Sequence, residues 1–115
     1  MKNLSDIPID DRDRTAIAAA SQMLKKRFPA VEQVILFGSK ARGDDAKDSD
    51  IDLLLLTSRP IDWRERQAVI DALFDIEMTH EVQISILVKT STEWESGICT
   101  VFPVHAEISK EGVLA

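Results

Sequence analysis

Three observations predict an α/β (α+β) fold for this chain, a small sheet of three or four strands with helices packed on it. Apolar residues recur at helical spacing in two long segments. Two short runs, Val34-Ile35-Leu36-Phe37 and Leu53-Leu54-Leu55-Leu56, are wholly apolar and bounded by turn residues, as buried strands are. Helix-like and strand-like segments then alternate along the chain. The elements alone leave two architectures open, a small mixed β-sheet flanked by helices and a doubly wound parallel sheet.

Residues 1–9 read as an arm, because Pro8 is a poor helix-interior residue. Asp10 or Asp11 can cap a helix running to about Phe28, with Ile17, Ala20, Leu24 and Phe28 as its apolar stripe and Pro29 as its stop. Residues 32–37 form the first strand. The Gly38-Ser39 turn opens a short helix around residues 40–42, and residues 43–49 are a charged loop. Residues 51–57 form a second strand, so apolar that it reads as central. Arg59-Pro60 breaks the chain. Asp62-x-x-Glu65 resembles a capping box and starts a helix to about Met78. Ile70, Leu73, Phe74 and Ile76 are expected to supply much of its buried side. Residues 82–88 form the third strand, and Ser91 caps a short helix through Trp94. Pro103 interrupts the next segment, and residues 105–110 give a last helical turn or two before Gly112. There is no internal repeat, low-complexity tract or linker, so residues 1–115 read as one domain.

Composition narrows the function. The chain has 115 residues, 44% apolar and 30% charged, enough for one domain with a real core. The net charge of −6 argues against broad binding to DNA or RNA, which needs a basic surface. No stretch is apolar enough to span a membrane, and the first residues lack the apolar core of a signal peptide, so a cytoplasmic location is expected. Cys99 is the single cysteine, expected to be a buried small hydrophobe. His80 and His105 lack zinc-ligand spacing and read as surface or capping residues. Trp63 is expected to pack on the sheet, while Trp94 is left open. Ile98, Val101, Phe102 and Val104 form an apolar patch that either closes the core or serves as an interface.

The chemistry concentrates in Gly38-Ser39-Lys40-Ala41-Arg42-Gly43, followed by Asp50-Ile51-Asp52, with ten residues between Ser39 and Asp50. A glycine after a strand lets backbone approach a ligand closely. The amides that open the next short helix suit a phosphate, and the Ser39 hydroxyl and Arg42 can reach the same phosphates. Lys40 is read as solvated, and so are Asp44, Asp45 and Asp48. Asp50 and Asp52, two apart on a strand, point to one face. Two like charges there repel, and divalent cations between them remove the repulsion. Asp52 also lies within an apolar run, where an unpaired carboxylate is costly. From Lys40 to Asp52 the local charge is −2, which suits a nucleotide entering as its magnesium complex. The arrangement points to a metal site beside a phosphate site, and to phosphoryl or nucleotidyl transfer.

The pattern Gly-Ser, ten residues, Asp-x-Asp resembles the nucleotidyltransferase fold of the DNA polymerase beta superfamily. The form Phe-Gly-Ser-Lys-Ala-Arg-Gly followed by Asp-Ser-Asp-Ile-Asp-Leu is most similar to the minimal nucleotidyltransferases, the antitoxin half of HEPN/MNT toxin–antitoxin pairs. The resemblance favours the mixed sheet. It implies that Gly38, Ser39 and Arg42 bind a nucleoside triphosphate and that Asp50 and Asp52 are catalytic, holding Mg2+. It further implies transfer of a nucleoside monophosphate, AMP from ATP, to a hydroxyl on a HEPN-domain partner. The chain is short for a separate acceptor-binding domain, so a partner is expected to supply the acceptor; self-association stays open. The family's third carboxylate usually stands on the third strand. Here Gln83 or Ser85 occupies that face, with Glu77 or Glu81 as substitutes, Glu81 the better placed. That departure sustains a second reading, a catalytically weak or inactive binding module that acts as an antitoxin by direct contact. A third is a nucleotide sensor.

Overall fold

In the computed structural model residues 1–43 and 49–115 are described, which leaves Asp44, Asp45, Lys47 and Asp48 of the charged loop outside. The chain runs β1 (Lys2–Asn3), a 3-10 turn, α1 (Asp11–Arg27), β2 (Val31–Phe37), α2 (Ser39–Arg42), β3 (Ile51–Thr57) and α3 (Trp63–His80). It continues through β4 (Ile84–Thr90), α4 (Ser91–Glu95), a second 3-10 turn, α5 (Pro103–Glu111) and β5 (Val113–Leu114). Among the described residues the strands form one sheet in the order β1-β5-β2-β3-β4. β2 pairs antiparallel with β3, whereas β4 runs parallel to β3. The sheet is therefore mixed, and the doubly wound parallel alternative falls. Two strands beyond those expected, β1 and β5, have two residues each, too short to show a period.

β3 is central, as its composition predicts. Leu53, Leu54 and Leu55 are fully buried, because helices cover both faces of the sheet. On one face, Leu53 and Leu55 pack with Val34, Leu36, the α1 stripe of Ala16, Ile17, Ala20 and Leu24, and Val69 and Leu73 of α3. On the other, Leu54 and Leu56 pack with Ile35, Trp94, Cys99 and Ile108. Asp10 caps α1, its Oδ1 accepting from the Arg12 amide at 3.1 Å. The Asp62–Glu65 capping box of α3 is formed. Among the described residues no helix is long and apolar enough to cross a membrane.

Several expectations are corrected. On α3 the buried face is Val69, Ala72 and Leu73, with Ile76 half-buried; Ile70 and Phe74 are exposed. The core stripe follows 69, 72, 73, 76, and Ile70 and Phe74 are rotated off it. Trp63 does not pack on the sheet: it is 73% exposed, with the Arg64 guanidinium over its ring, and it is Trp94 that is buried. Thr90 rather than Ser91 caps α4, accepting from the Glu93 amide at 3.0 Å, while the Ser91 hydroxyl donates to Glu32. The third strand starts two residues later than expected. Glu81 ends α3 in the left-handed conformation and the Val82 amide still donates to the Glu77 carbonyl, which holds residues 81–83 in the turn. Pro103 begins α5 instead of interrupting it, since its missing amide costs nothing in a first turn. His105 stacks on Trp94 at 4.6 Å between ring centres. Of the late apolar patch, Cys99 is buried and Val104 half-buried while Val101 and Phe102 stay exposed; the Ile98 side chain lies outside the described residues.

Candidate active site

The end of β2, the start of β3 and the start of β4 meet at one edge of the sheet. In register, Phe37 lies opposite Asp52, and Asp52 lies beside Ser85. Neighbouring strand partners share a face, so Asp52 and Ser85 point to the side covered by α4 and α5. Asp50 lies two residues earlier, and its Oδ2 accepts from the Ser85 hydroxyl at 3.3 Å. The two aspartates are thus on one face, as their spacing predicts, and Ser85 of β4 stands beside them.

The Gly38-Ser39 turn closes over this edge. Gly38 has φ +78°, and a β-carbon there would stand 2.3 Å from Oδ2 of Asp52. Only a residue without a side chain lets the turn lie against that carboxylate. Ser39 opens α2, with its hydroxyl 3.5 Å from that of Ser49. Lys40 does not reach solvent as expected. It is 2% exposed, and its Nζ pairs at 2.8 Å with Oδ2 of Asp13, itself 3% exposed. Nothing in the sequence marked this pair, because its members stand 27 residues apart and each looks like an ordinary surface charge. Structurally it anchors α2 to the first turn of α1.

Arg42 turns toward α5, with Nη1 2.6 Å from Oε1 of Glu107 and 3.6 Å from Oε2 of Glu111. Glu107 carried no signal either, since α5 reaches the site only in the folded chain. These charges set the state of Asp52. Burial, then the negative charges of Asp50 and Glu107, push its carboxyl above the ordinary carboxylate range, and Arg42 pulls it back only in part. The ionised form of Asp52 is therefore disfavoured where it stands.

Neither substitute third acid joins Asp50 and Asp52. Glu77 accepts at 3.0 Å from the Ile84 amide and so ties α3 to the start of β4. Glu81 is the exposed C-cap of α3, at φ 56°. Gln83 precedes β4, and its backbone carbonyl accepts from the Ile51 amide. Among the described residues no three His, Cys, Asp or Glu side chains converge on one point. A hard, oxygen-seeking cation nonetheless fits here. Magnesium is commonly held by one or two carboxylates with the rest of its shell from water and substrate phosphates, and a cation there would offset the burial and like charges that raise the Asp52 carboxyl.

The family and the fold are shared with known proteins. Residues 19–100 match the family model described as polymerase beta, nucleotidyltransferase. A candidate protein adenylyltransferase of Methanocaldococcus jannaschii, MJ0604, is 30% identical over 101 residues, spanning 87% of this chain and 94% of its own. Among solved structures, a minimal nucleotidyltransferase superposes with a TM-score of 0.61 at 21% identity, covering 96% of this chain and 94% of that one. The MNT antitoxin fold also matches in a complex with the tri-AMPylated Shewanella oneidensis HEPN toxin. There the TM-score is 0.55 at 15% identity, covering 88% of this chain and 69% of that one.

Proposed function

This chain belongs to the polymerase beta family of nucleotidyltransferases, and from that footing we propose that residues 1–115 act as one domain that transfers AMP from ATP, with Mg2+, to a protein hydroxyl, the acceptor being a HEPN-domain toxin partner. The observation that carries the reading is the meeting of Asp50 and Asp52 on one face with the Gly38-Ser39 turn pressed against Asp52. The similarity to a candidate protein adenylyltransferase supports a protein acceptor, and the fold shared with an antitoxin bound to an AMPylated HEPN toxin supports that partner.

Each residue has a role. Gly38 lets the turn lie against Asp52, which brings a phosphate bound at the turn beside the cation site. The Ser39 hydroxyl donates to a phosphate oxygen, and Arg42, by exchanging Glu107 for the polyphosphate, pairs with its charge. Asp50 and Asp52 hold the cation, and the Ser85 hydroxyl orients Asp50. The chemistry such an ion supplies is neutralisation of phosphate charge and acidification of the acceptor hydroxyl. In the reaction the acceptor oxygen bonds to the α-phosphorus, the bond from that phosphorus to the bridging oxygen breaks, pyrophosphate leaves and the hydroxyl proton passes to solvent.

The test is incubation with magnesium, labelled ATP and a HEPN partner. Label should appear on the partner with the wild type and vanish with Asp52→Asn. Equal labelling by both proteins would end the proposal.

Ser85, standing where the family's third acid is expected, favours a second reading, an antitoxin that masks its partner by contact alone. On that reading Asp50→Asn and Asp52→Asn still neutralise the toxin. Loss of neutralisation while the complex survives would reject it.

A further inference from the structure

Arg42, the cation assigned above to the polyphosphate, is held by carboxylates of α5. Its Nη1 lies 2.6 Å from Oε1 of Glu107 and 3.6 Å from Oε2 of Glu111. Neither acid helps α5 itself. They stand four apart in sequence, which makes like charges neighbours on one face, and both fall in the second half of the helix, toward the end where the dipole disfavours acids. What they gain is the contact with α2.

A carboxylate on a guanidinium forms the same charge-assisted bond that a phosphate oxygen forms. Glu107 and a polyphosphate are therefore rivals for Nη1, and a phosphate brought to Arg42 beside an ionised Glu107 also meets its repulsion. Glu107 is the fixed rival. Its neighbour Ile108 is fully buried in the cluster with Ile35 and Leu54, and β5 follows directly, paired with β2. Arg42 is the part that moves, a long side chain one-third exposed on a helix of four residues. The charge of Glu107 also reaches Asp52, where it favours a cation. It thus opposes bare phosphate and favours phosphate escorted by a metal ion.

We propose that Glu107 is a positioning residue that competes with the nucleotide for Arg42, so that a polyphosphate engages Arg42 best as its metal complex. The proposal rests on the reading that Arg42 binds the polyphosphate. When pyrophosphate leaves, Glu107 takes Arg42 back.

Calorimetry on the full chain with a non-hydrolysable ATP analogue tests this, once with magnesium and once in chelator. The proteins compared are the wild type, Glu107→Gln, Arg42→Ala and the double variant. Glu107→Gln keeps the size of a half-exposed side chain and removes its charge, so the fold should hold. With magnesium it should bind the analogue about threefold to fivefold more tightly than the wild type, the range of a half-exposed ion pair. In chelator the gain should be larger, because bare polyphosphate carries more charge. Against an Arg42→Ala background the same substitution should gain about twofold at most, since the rivalry is gone. Arg42→Ala binding as the wild type does would end the assignment of the polyphosphate to Arg42, and the proposal with it. Weak binding by Arg42→Ala with no gain in Glu107→Gln would leave that assignment standing and overturn the competition alone. Equal gains in both backgrounds would overturn it as well, because the effect would then not pass through Arg42. So would labelled transfer lost in Glu107→Gln at unchanged affinity, which would place Glu107 in the chemistry instead.

Discussion

Oδ2 of Asp52 occupies the space that any side chain on residue 38 would need. A β-carbon on Gly38 would approach it to 2.3 Å, at a backbone φ of +78°. Turn and carboxylate thus form one unit, and disturbing either moves the other.

Gly38→Ala should therefore injure both stability and ligand binding. The left-handed backbone alone costs about 1–3 kcal/mol. Urea denaturation should show a loss of at least that size, and calorimetry should show magnesium-dependent ATP binding weakened. Full stability together with wild-type binding would contradict the close approach.

Asp52→Asn should raise the melting temperature when no divalent cation is present. The Asp52 carboxyl is held above its ordinary range, first by burial and then by Asp50 and Glu107. Below its unfolded pKa it is protonated in both states and carries no penalty. As pH rises through the higher folded pKa it must ionise in an unfavourable setting, so stability is lost toward neutral pH. Thermal melts in chelator should show this decline in the wild type and a smaller one in Asp52→Asn. Magnesium should stabilise the wild type more than the variant.

The buried pair Lys40–Asp13 predicts a non-additive result. Lys40→Met or Asp13→Ala alone breaks this buried pair and should cost about 3–5 kcal/mol. The double variant Lys40→Met with Asp13→Leu should recover much of that loss. Urea titration of the three proteins decides it; additive losses would count against the buried pair.

Arg42→Ala should separate binding from folding. Its partner Glu107 is about two-fifths exposed, and half-exposed ion pairs contribute only about 0–1 kcal/mol. The melting temperature should barely move. ATP affinity should fall about tenfold or more, because the lost guanidinium pairs with the polyphosphate. An unchanged affinity would leave Arg42 as a clasp on α5 alone.

Ser85→Asp brings a third acid to the position in register with Asp52. If the missing carboxylate limits turnover, labelled transfer should rise about tenfold or more, in the range of a positioned acid–base group. A fall would show that the Ser85 bond to Asp50 matters more.

Local sequence determined the central apolar strand, the cap of α1, the capping box of α3, and the shared face of Asp50 and Asp52. Each follows from spacing along a few residues, and backbone periodicity converts that spacing directly into direction. The tertiary structure alone decided what Lys40, Asp13, Glu107 and Ser85 do. These residues meet across distant segments, and a charged side chain looks the same in sequence whether it is solvated or paired. It decided the two tryptophans as well. Both stand near helix starts, yet Trp94 joins the cluster around Leu54, Leu56 and Ile108 while Trp63 faces away from the core. That difference, like the two-residue strands β1 and β5, arises from packing among whole elements and leaves no periodic trace in the chain.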